Sequence, residues 1–330
     1  MFDIRKNDQH LFFVGGVPVE EDLKSIFLRI YVGITIHEYI DCSLENASAI
    51  TSLLITSKPT VMYIHGFSES VEKKSVQTVV EAYLKRNDHN IIAVDYSKFA
   101  NDSYVTVARN ASRVANALTI ILDKMTKVDF DIEKLHVIGH SMGSQISGYI
   151  GRKVNFKIPR ITGLDPAGPL YNFLQPHLSF SDARFVDIIH TDYGFYGIAR
   201  TTGTVDFFPN GGKRIQPGCP QHPKFYSKDD FCSHQRSWKF YAESLINESA
   251  FLGVQCSSLS HLASGKCNNN TQIIMGYATP ISAISRETFV ITHKKIDGIE
   301  MNTKSNIDIC NDNRDFSSFH LHRFSDNSHL

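Results

Sequence analysis

The sequence predicts an α/β fold in which helices cover both faces of a mostly parallel sheet. Strand-like apolar runs alternate with helix-like stretches from about residue 61 to residue 190, which favours parallel strands joined by crossover helices. The chain has 330 residues, of which 42% are hydrophobic and 21% charged, so it can bury a sizeable core. A Gly-x-Ser-x-Gly pentapeptide at residues 139–143 follows one apolar run, as in a sharp turn from a strand into a helix.

The elements follow in order from hydrophobic periodicity. Short apolar runs predict strands at Val61–Ile64, Ile91–Asp95, Leu135–Ile138, Ile161–Leu164 and Phe185–His190. Apolar residues at helical spacing predict helices between these strands, at Lys73–Arg86, Ser103–Met125 and Met142–Arg152. Catalytic groups in such folds lie at the carboxyl ends of strands, and Ser141 occupies that position.

The second half of the chain has weaker patterns. Glycine and proline are frequent between His190 and Cys219, which predicts loops there. A helix is predicted at Ser233–Asn247 with Ser233 as its N-cap, and a strand at Thr288–Thr292. We therefore predict an N-terminal segment at residues 1–24, one domain at residues 25–295, and a polar, loosely ordered tail at residues 296–330.

Charge and hydropathy exclude several classes of protein. Lys+Arg and Asp+Glu are equal at 34 each, so nothing favours nucleic acid as a partner. No apolar run approaches the roughly 18–20 residues that span a bilayer.

The cysteines and the glycosylation sequons favour a secreted protein. Cys219 and Cys232 bracket one polar loop, and Cys256 and Cys267 bracket another, as structural disulfides do, while Cys42 and Cys310 are left over and their pairing stays open. Five Asn-x-Ser/Thr sequons begin at Asn46, Asn101, Asn110, Asn247 and Asn269. Residues 1–16 are too acidic for a convincing signal peptide, and the apolar run within them is too short.

The candidate catalytic residues are built around Ser141. A Cβ atom at Gly139 or Gly143 would clash where the chain turns, so glycine is required at both positions. A serine nucleophile needs a base, and the base needs an orienting acid, which in this type of hydrolase follow in the order Ser, acid, His. Asp165 ends an apolar strand at a Pro/Gly-rich turn and is the best acid, although a purely structural turn residue is the alternative.

The base and the oxyanion hole are less well defined by the sequence. Spacing alone leaves His190, His222 and His234 as candidate bases. The backbone N–H of Met142, directly after the nucleophile, is one expected oxyanion donor. The N–H of Phe67, where an apolar strand runs into His-Gly, is the other.

Four motifs in order resemble the pancreatic lipase family of α/β-hydrolases. They are His65-Gly66-Phe67, Gly139-His140-Ser141-Met142-Gly143, residues 163–169 around Asp165, and Cys232-Ser233-His234. The resemblance implies an α/β-hydrolase with Ser141 as nucleophile, Asp165 as acid, His234 as base, and Phe67 and Met142 as oxyanion donors. It implies no cofactor, and it chooses His234 over the rival histidines.

The chain departs from pancreatic lipase in ways that bear on its substrate. The cysteine-bracketed lid at Pro220–Phe231 is short and polar, and the loop between Asp192 and Asp206 is short as well. In the family such shortening accompanies phospholipase A1 activity, and the layout is most similar to single-domain insect lipases and vespid venom phospholipases A1. Ser179 stands where the family's calcium site has a carboxylate, so no metal is expected although Asp182 matches one ligand.

These observations lead to a hypothesis with two rivals. We expect a secreted, monomeric enzyme that hydrolyses the sn-1 acyl ester of phospholipids at a membrane or micelle surface. No colipase is expected, because too few residues follow Thr292 for the C-terminal β-sandwich that binds it, and no such domain is predicted. A triacylglycerol lipase or galactolipase with the same triad is the first rival, and a non-catalytic lipid-binding or yolk-type protein is the second.

Overall fold

Eleven strands in the described part of the chain form one sheet with a parallel centre and antiparallel edges. The computed structural model describes residues 23–257, 260–261, 264–267 and 269–281, and the backbone of Glu287–Ile291. These residues fall within one compact unit. The predicted tail and Cys310 lie outside the described residues.

The strands follow the sequence in the order β1 Phe27–Tyr31, β2 Tyr39–Ser43, β3 Thr60–Ile64, β4 Asn90–Asp95, β5 Leu135–His140, β6 Arg160–Leu164, β7 Phe185–Ile189, β8 Val205–Pro209, β9 Leu252–Gln255, β10 Gln272–Ile274 and β11 Glu287–Ile291. Across the sheet they are arranged as β10-β9-β11-β8-β7-β6-β5-β3-β4-β1-β2. The run from β4 to β11 is parallel, and the outer pairs are antiparallel.

The helices are α1 Ala47–Ser52, α2 Lys74–Arg86, α3 Ser97–Ala100, α4 Tyr104–Met125, α5 Met142–Lys153 and α6 Cys232–Ile246. Short 3-10 turns occupy Ile132–Lys134, Phe180–Asp182 and Asn210–Gly212. No helix among the described residues has both the length and the apolar character needed to cross a bilayer.

The two faces of the sheet bury separate apolar cores. In β3, Met62 and Ile64 face the core that includes α4 and α5, whereas Val61 and Tyr63 face the core that includes α2 and α6. Because successive side chains of a strand point to opposite faces, a strand covered on both sides is apolar at every position, as β3 is apart from its first residue. The predicted α/β architecture is therefore confirmed.

The structure corrects two details of the predicted elements. Ser103 precedes α4 and caps it, since its side chain accepts a hydrogen bond from the Thr106 N–H. Ser233, however, lies inside α6, which begins after Phe231 and has no side-chain cap. The stretch after His190 also contains the buried strand β8, where the sequence pattern predicted only loops.

Candidate active site

Ser141 lies at the turn between β5 and α5. Its backbone has φ 53° and ψ −115°, a conformation that side chains seldom adopt. A Cβ atom on Gly139 would come within 2.4 Å of the Gly143 backbone, and one on Gly143 within 2.0 Å of the Ile64 carbonyl oxygen. Both glycines of the pentapeptide are therefore required by close backbone packing, as the sequence predicts.

Asp165 and His234 meet beside this turn. The His234 Nδ1 atom lies 2.6 Å from the Asp165 Oδ2 atom, and both side chains are buried. The other carboxylate oxygen of Asp165 accepts hydrogen bonds from the Thr191 and Asp192 N–H groups, at 2.8 and 3.1 Å. The carboxylate is thus fixed by partners on both oxygens, and it can hold the imidazole in one orientation.

A backbone contact places Asp165 next to the serine, and a disulfide lies beside His234. Asp165 directly follows β6, the strand next to β5, and the Ser141 N–H donates to the Leu164 carbonyl at 3.0 Å. His234 lies in the first turn of α6, two residues after Cys232, which is bonded to Cys219. The ring of His140 lies 5.0 Å from the ring of His234, centroid to centroid.

The surroundings of His234 favour its protonated form. Burial lowers the pKa of His234, but the Asp165 carboxylate outweighs this effect through its hydrogen bond and its charge, and the pKa is raised above 6.5. A histidine held by a buried carboxylate in this way can accept a proton from a neighbouring hydroxyl and stabilise the imidazolium that results.

The rival histidines lie elsewhere. The His190 Nε2 atom is 2.7 Å from the Asp206 Oδ1 atom, and its ring stacks on Phe208 with centroids 4.5 Å apart. His222 is exposed within the loop between Cys219 and Cys232. Of the three candidates that spacing left open, His234 is the one that contacts Asp165.

The residues His65, Gly66 and Phe67, called here the oxyanion loop, lie against the serine. A Cβ atom on Gly66 would lie 3.1 Å from the Ser141 Cβ atom, so the loop passes directly over the nucleophile. Met142 is the first residue of α5, where the backbone N–H groups carry the positive end of the helix dipole. The structure thus places both predicted donor residues beside Ser141, and their role as oxyanion donors stays a prediction.

Two loops border the site: the lid, residues 220–231, and the loop between Asp192 and Asp206. The lid is closed by the Cys219–Cys232 disulfide. Ion pairs through Arg214 join the two loops. Arg214 donates to both carboxylate oxygens of Asp192 at 2.7 Å and to the Asp230 Oδ1 atom at 2.9 Å. Asp230 also accepts hydrogen bonds from the Tyr196 hydroxyl and the Tyr226 N–H. The lid is therefore tied by charge to the segment that supports Asp165.

The sequence did not single out Arg214 or Tyr196 for a role in the site. Arg214 follows a Gly-Gly pair in a loop, and its partners lie 16 and 22 residues away. Tyr196 stacks on Phe231 and lies 6.0 Å from the His234 ring, centroid to centroid. Local patterns carry no signal for such long-range contacts.

The predicted disulfides form, and the sequons differ in exposure. Cys219 pairs with Cys232 and Cys256 with Cys267. Cys42 has no disulfide partner among the described residues. Of the sequon asparagines, Asn46, Asn101 and Asn269 are exposed, whereas Asn110 and Asn247 are partly buried.

Comparison with known proteins identifies relatives for most of the chain. A family model described as Lipase matches residues 37–314. The chain is 36% identical over 233 residues to lipase member H-A of Xenopus laevis, covering 69% of this chain and 50% of that protein. It is 32% identical over 273 residues to pancreatic triacylglycerol lipase of Cavia porcellus, covering 76% of this chain and 58% of that protein. The chain thus spans about half the length of the relatives it matches.

Matches among solved structures were also found. An esterase of Pyrococcus furiosus has a TM-score of 0.33 at 16% identity, covering 57% of this chain and 79% of that one. A structure named as a hydrolase of the α/β superfamily, from Xanthomonas campestris, has a TM-score of 0.31 at 15% identity, covering 43% of this chain and 76% of that one.

Proposed function

The chain belongs to the pancreatic lipase family of α/β-hydrolases, and on that basis we propose that it hydrolyses the sn-1 acyl ester of phospholipids. The observation that supports a hydrolase most strongly is the buried Asp165–His234 hydrogen bond beside the strained serine turn. A purely structural Asp–His pair would have no need of a serine held in strained backbone next to it.

In the proposed mechanism Ser141 attacks the ester carbonyl while His234 removes the hydroxyl proton. Asp165 holds the imidazole and stabilises its positive charge. The oxyanion that forms is stabilised by the N–H groups of Phe67 and Met142, and loss of one such donor costs on the order of 10²–10³ in rate. His234 then donates its proton to the leaving alcohol, and water activated by His234 hydrolyses the acyl-enzyme.

The lid supports the choice of a phospholipid. Lys224, Lys228 and Asp229 are exposed, and the loop is short, with its two cysteines 13 positions apart in the sequence. A charged head group needs an open, hydrated site, whereas a third acyl chain is better buried under a long apolar lid. Phe225 and Tyr226 are 63% and 53% exposed, so the same loop also offers aromatic contacts to a lipid surface.

A triacylglycerol lipase is the second candidate. Several relatives are named pancreatic triacylglycerol lipase, and exposed aromatic side chains would also suit a neutral lipid droplet. An assay of phosphatidylcholine beside triolein, with release from the sn-1 position scored separately, distinguishes the two. Faster release from triolein would overturn the proposed phospholipid preference while leaving the triad intact.

We also propose that the protein is secreted. Two disulfides close loops of the described chain, and such bonds persist in oxidising compartments.

The catalytic assignment is tested by Ser141→Ala. We expect this variant to keep its fold, to lose ester hydrolysis by about 10⁴-fold or more, and to resist labelling by a fluorophosphonate probe, because no nucleophile remains. The matched control is Ser52→Ala, which changes an exposed serine of α1 and is expected to label and turn over normally. Labelling of Ser141→Ala at the wild-type rate would contradict the assignment and favour a different nucleophile.

A further inference from the structure

A carboxylate outside the proposed triad lies next to the oxyanion loop. The Glu69 Oε2 atom accepts a hydrogen bond from the Gly66 N–H at 2.6 Å and lies 3.2 Å from the His140 Nδ1 atom. Building on the proposed function, we infer that Glu69 is a positioning residue that holds the oxyanion loop and the His140 ring in place around Ser141 and His234.

The backbone around Gly66 is held from both sides. Its N–H is bound by Glu69, while its carbonyl oxygen accepts from the Tyr96 hydroxyl at 3.3 Å and lies 3.0 Å from the His65 Nδ1 atom. The peptide that joins Gly66 to Phe67 is planar and trans, so the Phe67 N–H points opposite to that carbonyl. Fixing Gly66 therefore fixes the direction of the Phe67 donor before any substrate arrives, and a preorganised donor needs no rearrangement during reaction.

The second contact of Glu69 orients His140. This ring is buried and lies 5.0 Å from the His234 ring, centroid to centroid. Its Nε2 atom has no hydrogen-bond partner within the described chain, so the contact between Nδ1 and Glu69 is what sets the ring orientation there. Glu69 thus supports the oxyanion loop directly and one side of the proposed base through His140.

Glu69 also contributes charge to the site. Burial raises the pKa of Glu69, but the charge and the hydrogen bond of His140 outweigh it and lower this pKa to about 2, so the carboxylate is ionised at neutral pH. The carboxylates that raise the pKa of His234 are Asp165, Asp192 and Glu69, while the rings of His140 and Tyr196 lie beside it. Removing the charge of Glu69 should therefore lower the pKa of His234.

The test compares Glu69→Ala and Glu69→Gln on a soluble short-chain nitrophenyl ester, with active sites counted by a fluorophosphonate probe. Loss of the acceptor in Glu69→Ala loosens the loop, and we expect kcat per active site to fall about 10–100-fold with KM changed less than about threefold. The amide oxygen of Glu69→Gln can still accept from Gly66, so kcat is expected to recover to within about threefold of wild type. The acid limb of kcat/KM in Glu69→Gln is expected at lower pH than in wild type, because the charge is gone.

The matched control is Glu72→Gln. Glu72 lies in the same segment as Glu69, but its carboxylate binds Arg29 and not the Gly66 N–H. This variant should leave kcat and the pH profile unchanged. The positioning role alone would be overturned by the following result. The wild-type enzyme turns over the ester, Glu69→Ala keeps full kcat per active site, and the pH profile of Glu69→Gln is unchanged. A wild-type protein that neither reacts with the probe nor cleaves the ester would overturn the proposed function and this inference with it. If Glu69→Ala does not fold, the pH profile of Glu69→Gln decides the question.

Discussion

Two aspartates, Asp165 and Asp192, are buried close to His234, and they have different partners. Asp165 contacts the imidazole, whereas Asp192 donates its N–H to Asp165 and accepts hydrogen bonds from Arg214 on its carboxylate. Burial raises the pKa of Asp192 above 3.8, against the lowering effect of Arg214. Arg214 therefore compensates the second carboxylate, and Asp165 is left as the partner of the proposed base.

This division of roles predicts the effect of Asp165→Asn. His234 must be neutral to accept a proton, so kcat/KM falls as the pH drops through its raised pKa. Without the Asp165 charge that pKa is lower, and the acid limb of kcat/KM should move to lower pH while kcat drops by about 10⁴-fold. The measurement is a pH–rate profile on a soluble ester, with the exposed lid variant Asp229→Asn as a control that should match wild type. An acid limb at its original pH in Asp165→Asn would argue that Asp165 does not set the pKa of His234.

At the residue scale, local rules predicted the turn around Ser141 but not its surroundings. A Cβ atom at Gly139 would meet the backbone of Gly143 and Ser144, so this requirement is local and the pentapeptide carries it, whereas Gly143 packs against the Ile64 carbonyl of the neighbouring strand. Glu69 and Arg214 act through partners that only the fold brings close, and nothing in their neighbouring sequence marks them. His234 could be chosen over His190 only through the family resemblance, and its contact with Asp165 agrees with that choice.

At the scale of elements, the edge strand β2 and the buried strand β8 are two strands that the sequence patterns did not predict. Four of the five side chains of β2 are exposed, so no alternating apolar pattern reveals it. In β8, Asp206 interrupts the apolar run, and it is tolerated in the core because it binds His190 and the N–H groups of Thr202 and Gly203. The pattern of β8 makes sense only once these partners are known.

Arg214 joins the lid to the rest of the fold through its ion pairs with Asp230 and Asp192. In Arg214→Met, Asp230 loses its ion pair and Asp192 becomes a buried charge without a cation, which should cost roughly 2–4 kcal/mol of folding free energy. We expect faster proteolysis within residues 220–231, measured by limited digestion and mass spectrometry, together with a lower Tm. The neighbouring exposed residue gives the control Lys213→Met. Equal digestion rates in the two variants would show that the disulfide alone holds the lid.

At the scale of the whole molecule, the sequons are not equivalent. Asn46, Asn101 and Asn269 are exposed, whereas Asn110 lies within α4 and accepts a hydrogen bond from Arg113 at 2.9 Å. After expression through a secretory pathway, we expect glycans on the three exposed asparagines and little or none on Asn110, because a glycan needs room at the surface. Peptide mapping before and after enzymatic deglycosylation measures the occupancy of each site. A folded, active product with full occupancy at Asn110 would contradict this prediction.

Gly197 has a consequence for anyone who wishes to change the loop that follows Asp192 in this protein. A Cβ atom at this position would come within 2.5 Å of the Asp165 Oδ1 atom, and hydrogen bonds join residues 196–198 to Asp192, Pro166 and Gly168. Residues 199–201, by contrast, are exposed. A longer loop grafted from another lipase should therefore be inserted at residues 199–201, so that the segment through Ile198 keeps its length and the carboxylate keeps its place.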